Sequence, residues 1–192
     1  MLNIRLMTGA DQDAVMPMVE DFYHSPAVEH PVDPAVLERT FQDAIDANEP
    51  LLTGLVLEEE GKAVGYAYLT ECYSGEVGGR CVFFEEMYFQ PQCRGKGYGT
   101  QVFRWVKEHY PHHRRVRLEV TDSNPGAIRL YEKLGFRFLE YRQMVLEGGF
   151  AGFQTDKLSG GREDGCESGM SGPVDGHGDT LQLHSVGGAP LL

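Results

Sequence analysis

Gln92-Cys93-Arg94-Gly95-Lys96-Gly97-Tyr98-Gly99 is the most informative segment of this 192-residue chain. It joins an apolar run, residues 81–89, to an amphipathic helical pattern that begins near Thr100. This order predicts a strand, a glycine loop and the start of a helix. A loop that lays several backbone N–H groups against a phosphate has little room for side chains, and the helix behind it adds the positive end of its dipole. The segment is therefore predicted to bind an anion.

Two common phosphate-binding loops do not fit this segment. A Walker loop requires Gly-Lys followed by Ser or Thr, but Lys96 is followed by Gly97 and Tyr98. The dinucleotide fingerprint G-x-G-x-x-G also fails, because Gly99 and Thr100 come after Tyr98. A glycine cluster alone is equally typical of a simple strand-to-helix turn, so its meaning depends on the sequence around it.

The pattern Gln92-x-x-Gly95-x-Gly97 resembles the acetyl-CoA signature Q/R-x-x-G-x-G/A of the GCN5-related N-acetyltransferase (GNAT) family. A second block follows in the family's order and is similar to its fifth strand, the next helix and the closing L-Y-x-x-x-G-F. This block reads Leu118-Glu119-Val120-Thr121-Asp122-Ser123-Asn124-Pro125-Gly126-Ala127, then Leu130-Tyr131-Glu132-Lys133-Leu134-Gly135-Phe136. The resemblance covers residues 3–147 in element order and is motif-specific over residues 84–136. Polyamine-type members are the most similar.

The resemblance implies an α/β (α+β) GNAT fold. Its central sheet is mixed, mostly antiparallel and twisted, with six to seven strands, helices on both faces and a splay between strands 4 and 5. The residues themselves predict helices over 11–23, from Pro34 after the cap Asp33, over 100–109, and from Pro125 after the cap Asn124. Strands are predicted at 4–7, 51–58, 62–73, 81–89, 116–120, 136–139 and 143–146.

The chain is expected to contain one GNAT domain, residues 1–147, and a C-terminal tail, residues 148–192. In that tail, 12 of the 24 glycines fall within 45 residues, and apolar residues are scattered. Such a composition buries too little apolar surface to offset the entropy of ordering, so we expect the tail to be disordered.

Composition and charge restrict the class of protein. The hydrophobic share of 41% supports a sizeable core, no apolar run is long enough for a membrane span, and the N-terminus lacks a secretory signal. We therefore expect a cytoplasmic protein with no membrane partner. A net charge of −12 disfavours nucleic acid and attracts cationic amines. The cysteines, Cys72, Cys81, Cys93 and Cys166, and the irregularly spaced His109, His112 and His113 predict neither a disulfide framework nor a metal site.

The chemistry that the resemblance implies is transfer of an acetyl group to an amine, which requires a base and an acid. Glu85 and Glu86 match the acidic pair of polyamine-type members, and Glu85 is our first choice for the base, acting through water. Because adjacent strand residues point to opposite faces, we expect only one of the two to face the site. Tyr131 stands where the family carries its acid tyrosine, and a phenol stays protonated at neutral pH. These three are the candidate catalytic residues.

Acetyl-CoA is the implied co-substrate, with no metal. The resemblance assigns its contacts to the strand before the loop, to the loop itself and to the following helix. The candidate cofactor-binding residues are Met87, Tyr88, Phe89, Arg94, Gly95, Lys96, Gly97, Tyr98, Gly99, Thr100 and Asn124. Asn124 is equally well explained as a helix cap.

The sequence thus predicts an acetyl-CoA-dependent N-acetyltransferase that acts on a primary amine of a small, cationic acceptor by direct attack in a ternary complex. The alternative is a non-catalytic acyl-CoA-binding or regulatory module. The acidic and aromatic residues Glu20, Asp21, Tyr23, His24 and Glu29 suit a small cationic amine, and a peptide terminus, an aminoglycoside or an amino acid fits nearly as well. Homodimers are common in the family, so a homodimer is a further expectation.

Overall fold

A computed structural model of the chain describes residues 2–25, 28 and 30–145. The chain divides into two compact units, Met1–Arg137 and Phe138–Leu192, and the first contains every helix and strand of the described residues. The strands are β1 (Leu2–Leu6), β2 (Leu52–Glu59), β3 (Lys62–Ser74), β4 (Gly79–Phe89) and β5 (Arg115–Leu118). The helices are α1 (Gln12–Tyr23), α2 (Pro34–Ile45), α3 (Tyr98–His109) and α4 (Pro125–Lys133), with 3-10 turns at Gly9–Asp11 and Pro91–Cys93. None of the helices in these described ranges has the length and apolar character needed to cross a membrane.

The five strands form one mixed sheet in the order β1-β2-β3-β4-β5. The first four strands pair antiparallel. The last pair, β4 and β5, is parallel and runs from Cys81 opposite Arg115 to Phe84 opposite Leu118. Beyond Phe84, β4 continues to Phe89 without a partner on β5. The two strands therefore separate in the middle of β4, where the predicted splay lies.

The two faces of the sheet carry separate apolar cores. Helices α1 and α2 cover one face, where Val15, Phe41 and Tyr66 are fully buried. Helix α3 covers the other, where Leu69 and Val102 are buried. Full burial of such side chains contributes about 1.5–3 kcal/mol each. The predicted helix cover on both faces of the sheet is confirmed.

Local signals set the helix ends near the separated strands. The Asp33 side chain accepts a hydrogen bond from the Ala35 N–H at 2.9 Å, and Pro34 follows it at the first helical position. The Asn124 side chain accepts from the Ala127 N–H at 3.1 Å in the same way. Gly135, with φ of 90°, follows the end of α4. The predicted helix ends at Asp33, Asn124 and Gly135 are confirmed.

The predicted number of strands was too high: the described residues contain five rather than six to seven. Residues 136–139 and 143–145 lie in no strand, and Leu146, the last residue predicted for the final strand, lies outside the described residues. Apolar alternation is typical of a strand, but a strand forms only where its N–H and C=O groups find a ladder. The Phe136 ring instead lies 5.3 Å from the Phe103 ring and 5.9 Å from the Tyr131 ring, centroid to centroid.

The second unit is described only over residues 138–145, which contain no helix or strand. The predicted tail, residues 148–192, falls entirely outside the described residues. Its expected disorder stays a prediction.

Candidate active site

The glycine loop between β4 and α3 needs glycine at two positions for conformational reasons. Gly95 and Gly97 have φ values of 76° and 77°, a region that strains other residues. Gly97 is the N-cap of α3. A Cβ at either glycine would meet no atom within 4 Å. This side of the loop therefore faces open space next to the first N–H groups of α3, which have no acceptor within the helix.

Gly99 serves a different purpose from the other two glycines. A Cβ there would lie 2.7 Å from Leu130 Cδ2 of α4. The missing side chain therefore allows α4 to pack against the start of α3. The sequence predicted that all the loop glycines contact the anion, whereas the structure gives Gly99 a packing role.

The basic side chains of the loop already have protein partners. The Arg94 Nε donates to the Phe89 carbonyl oxygen at 3.0 Å, and its guanidinium carbon lies 5.5 Å from the centre of the Tyr88 ring. The Lys96 Nζ lies 2.8 Å from Glu59 Oε2. An anion bound at this loop would therefore interact first with the backbone N–H groups and the dipole of α3.

A cleft of about 80 Å³ opens where β4 and β5 separate. It brings together five of the predicted site residues, and those five are Glu85, Glu86, Met87, Asn124 and Tyr131. On the β4 side of the cleft, residues 85–89 of β4 have no partner on β5. The backbone N–H and C=O groups of alternate residues in this segment therefore face the gap. These backbone groups are suited to pair with an extended ligand.

The other predicted cofactor residues of β4 lie away from the cleft lining. Tyr88 is buried on the α1 side and its hydroxyl donates to Asp21 Oδ2 at 3.3 Å. The Phe89 ring lies 6.0 Å from the Tyr98 ring, centroid to centroid. Any contact of these two residues with a ligand in the cleft would therefore go through their backbone.

A β-bulge places both acidic residues at the cleft. Tyr68 pairs with Glu86 and Leu69 pairs with Phe84, so Glu85 is the extra residue of β4. Both residues line the cleft. The bulge interrupts the strict alternation of side chains, so alternation alone does not decide which of the two carboxylates faces the site, and the expectation that only one does stays a prediction.

The two carboxylates have different environments. Glu85 is exposed and accepts a hydrogen bond from Thr70 Oγ1 at 2.6 Å. Glu86 is only 7% exposed, and its oxygens accept from Tyr23 at 2.6 Å and from Tyr66 at 2.5 Å. Burial raises the pKa of Glu86 despite these hydrogen bonds. Burial and the nearby Glu86 charge also raise the pKa values of Tyr23 and Tyr66, so both phenols stay protonated and donate.

Tyr131 projects from α4 into the same cleft. Its ring makes an edge contact with Phe103 at 5.9 Å between centroids. Burial raises the pKa of Tyr131 above its usual value near 10, so its hydroxyl keeps its proton at neutral pH. Among the described residues none hydrogen-bonds this hydroxyl, which leaves a protonated donor facing the cleft.

A family profile described as Acetyltransferase (GNAT) family matches residues 15–136. The chain belongs to the GNAT family. The matched region begins within α1 and ends just after α4, so it contains the glycine loop, the cleft and all candidate catalytic residues.

Two curated relatives are N-acetyltransferases whose names refer to thialysine or to peptidyl-lysine. The thialysine N-epsilon-acetyltransferase of Mus musculus is 35% identical over 106 residues, which is 54% of this chain and 62% of the relative. The peptidyl-lysine N-acetyltransferase YiaC of Escherichia coli (strain K12) is 31% identical over 85 residues, 44% of this chain and 50% of the relative. The match thus spans between half and about three fifths of the length of these two relatives.

The fold also matches solved GNAT structures. One is the aminoglycoside N-acetyltransferase AAC(6')-Iy in complex with CoA, which has 17% sequence identity. The alignment covers 77% of this chain and 95% of that chain, with a TM-score of 0.63. At this identity the likeness establishes the fold, and the GNAT fold predicted from the sequence is confirmed.

Sequence reasoning missed three residues that shape this GNAT site. Tyr66 and Thr70 orient the two acidic residues, and Glu59 holds the glycine loop. The alternation Tyr66-x-Tyr68 in a predicted strand indicates one phenol-bearing face, which was the available signal for Tyr66. Nothing local in the sequence indicates Glu59, because its loop partners lie more than 30 residues away along the chain.

Proposed function

We propose that this GNAT protein transfers the acetyl group of acetyl-CoA to a primary amine of a small, cationic acceptor. The observation that carries the proposal is the cleft between β4 and β5, where an exposed carboxylate and a protonated phenol face the same space. The names of the two curated relatives, both lysine-type N-acetyltransferases, support an alkyl amine as acceptor. The CoA complex of the structural neighbour supports the choice of cofactor.

The loop and the cleft suit the two ends of acetyl-CoA. Gly95 and Gly97 border open space next to the N–H groups at the start of α3, which suits a diphosphate. The unpaired edge of β4 near Met87 suits the amide groups of the pantetheine arm. Asn124 caps α4 through its oxygen and lines the cleft, and among the described residues its amide nitrogen has no partner, which leaves it available to bond the same arm. The thioester would then lie near Tyr131.

The base in this proposal is Glu85, acting through water. An alkyl amine has a pKa of about 10.4, so reaching its neutral form at pH 7 costs about 4–5 kcal/mol. Glu85 is accessible and oriented by Thr70. Both oxygens of Glu86 are occupied by phenols, so Glu86 is better suited to hold α1 against β3 and β4 and to add negative charge.

The acid in this proposal is Tyr131. The amine nitrogen attacks the thioester carbonyl carbon, giving a tetrahedral intermediate in the ternary complex. When the carbon–sulfur bond breaks, the electron pair goes to sulfur, and the Tyr131 hydroxyl gives its proton to the thiolate. No acyl-enzyme forms in this route.

The acceptor side of the cleft carries negative charge. Asp21 on α1 lies next to the phenol of Tyr88, and Glu85 and Glu86 line the cleft itself. A second positive charge on the acceptor would be attracted to this region. Of the residues predicted for acceptor binding, Glu29 lies outside the described residues.

The proposal is tested by CoA release from acetyl-CoA with matched amines. We expect 1,4-diaminobutane to have a kcat/KM at least about tenfold above that of 4-amino-1-butanol, which corresponds to about 1.4 kcal/mol from the second charge. Equal values would reject the cationic acceptor. Binding of CoA without release for any amine, including lysine-like ones, would favour the non-catalytic acyl-CoA-binding module instead. A cytoplasmic location, a homodimer and the lack of a metal stay predictions.

A further inference from the structure

One carboxylate, that of Glu59, contacts the glycine loop at its beginning, middle and end. The Lys96 Nζ donates to both oxygens, at 3.1 Å and 2.8 Å. The Tyr98 hydroxyl donates to Oε1, and the Cys93 Sγ lies 3.7 Å from Oε2. Cys93 ends the 3-10 turn that opens the loop, and Tyr98 begins α3.

Glu59 is itself held rigidly. It is the last residue of β2 and pairs with Leu2 on β1 and with Lys62 on β3. The turn that follows, Glu60 and Gly61, has φ values of 54° and 76° and reverses the chain at once. The carboxylate thus extends from a strand with a neighbour on both sides.

The loop has few backbone bonds of its own. Among the described residues, its turn bonds are those from Cys93 N to the Gln90 oxygen and from Arg94 N to the Pro91 oxygen. No such turn bond is made by residues 95–97 within the described part of the chain. The shape of this central part therefore depends on contacts from outside the loop, and Glu59 supplies them.

We propose that Glu59 is a positioning residue that fixes the glycine loop in the shape that binds the diphosphate of CoA. The inference rests on the proposed function, since it takes this loop to be the CoA site. The Tyr98 hydroxyl is anchored because its ring is 8% exposed and contacts Phe89. Glu59 therefore joins the loop to the sheet through a buried phenol as well as through Lys96.

Loss of positioning and loss of charge predict opposite effects of removing Glu59 on the affinity for CoA. The carboxylate is negative and close to the proposed diphosphate site. The hydrogen bond from Lys96 lowers the pKa of Glu59, which favours the charged form. Removing it would free the Lys96 ammonium to attract phosphate. If Glu59 acted only through charge, its removal would tighten CoA binding, whereas loss of loop positioning weakens it. The two accounts thus differ in sign.

The test compares CoA binding by calorimetry in wild type, Glu59→Ala, Glu59→Gln and the control Glu60→Ala. We expect Glu59→Ala to weaken CoA binding about tenfold, because several hydrogen bonds to a charged group are lost. Glu59→Gln keeps an acceptor for Tyr98 and should lie between wild type and Glu59→Ala. Glu60→Ala removes the same charge from the next residue, which has no hydrogen bond to the loop among the described residues, and should bind like wild type.

Steady-state kinetics provides a second readout that a purely structural defect would not give. For Glu59→Ala the KM for acetyl-CoA should rise about tenfold while kcat at saturating acetyl-CoA stays within about twofold. If Glu59→Ala does not fold, Glu59→Gln is compared with wild type instead, and the expected loss of CoA affinity is smaller.

Three results would overturn the inference. Unchanged or tighter CoA binding in Glu59→Ala and Glu59→Gln, with wild type binding CoA, would reject positioning and leave the proposed function intact. A fall in kcat equal to the rise in KM would indicate a general structural effect. A wild-type protein that binds no CoA would reject both the inference and the proposed function.

Discussion

Replacing Tyr131 with Phe is expected to lower kcat by about 100-fold or more and to leave the Kd for CoA within about twofold, since general acid catalysis contributes about 10²–10⁴ in rate. The ring remains and keeps its edge contact with Phe103, so the cleft keeps its shape. Only the proton for the leaving thiolate is lost. Rapid-mixing or steady-state assays of CoA release, together with calorimetry of CoA binding, measure the two quantities.

A matched control for Tyr131→Phe is Tyr110→Phe. The Tyr110 hydroxyl contacts Thr53 Oγ1 at 3.4 Å and lies outside the cleft lining. Its loss should change kcat little. A loss of CoA affinity in Tyr131→Phe without a loss of kcat would show that Tyr131 holds the cofactor and does not donate the proton. Because burial raises the pKa of Tyr131, wild-type activity should not fall through Tyr131 ionisation until above about pH 10.

Replacing Glu85 with Gln is expected to lower kcat/KM for the amine about 100-fold near pH 7. The loss should shrink as the pH approaches about 10.4, because more of the acceptor is then neutral without a base. The pH profile of CoA release in wild type and Glu85→Gln, at saturating acetyl-CoA, measures this difference.

The neighbouring carboxylate gives the matched comparison. Glu86→Gln should have the smaller effect, about tenfold, and should mainly raise the KM for the amine. The reason is that Glu86 is closed in by Tyr23 and Tyr66 and positions α1. A larger and more pH-dependent loss in Glu86→Gln than in Glu85→Gln would make Glu86 the base.

Local patterns in the sequence were sufficient to predict most of the fold. The stripe that includes Val15 and Val19 predicted the buried face of α1, and the caps Asp33 and Asn124 predicted the starts of α2 and α4. The glycine loop was recognisable because its backbone conformation, at Gly95 and Gly97, disfavours other residues. Each of these signals depends only on residues close together in the chain.

The features that sequence reasoning missed depend on pairing between distant segments. The bulge at Glu85 arises from the register between β3 and β4, and alternation within β4 gives no sign of it. Glu59 meets Lys96 only because β2 ends beside the loop. The strand predicted over residues 136–139, and the described part, residues 143–145, of the one predicted over 143–146, are absent for the same reason, since alternation predicts a strand but not a partner for it.

A crystal structure of the protein with CoA tests the central claim most directly. The account predicts that diphosphate oxygens accept hydrogen bonds from backbone N–H groups of residues 94–99, and that the pantetheine arm enters between β4 and β5 with its thiol near Tyr131. A diphosphate bound away from this loop, or a pantetheine arm outside the gap between β4 and β5, would contradict it.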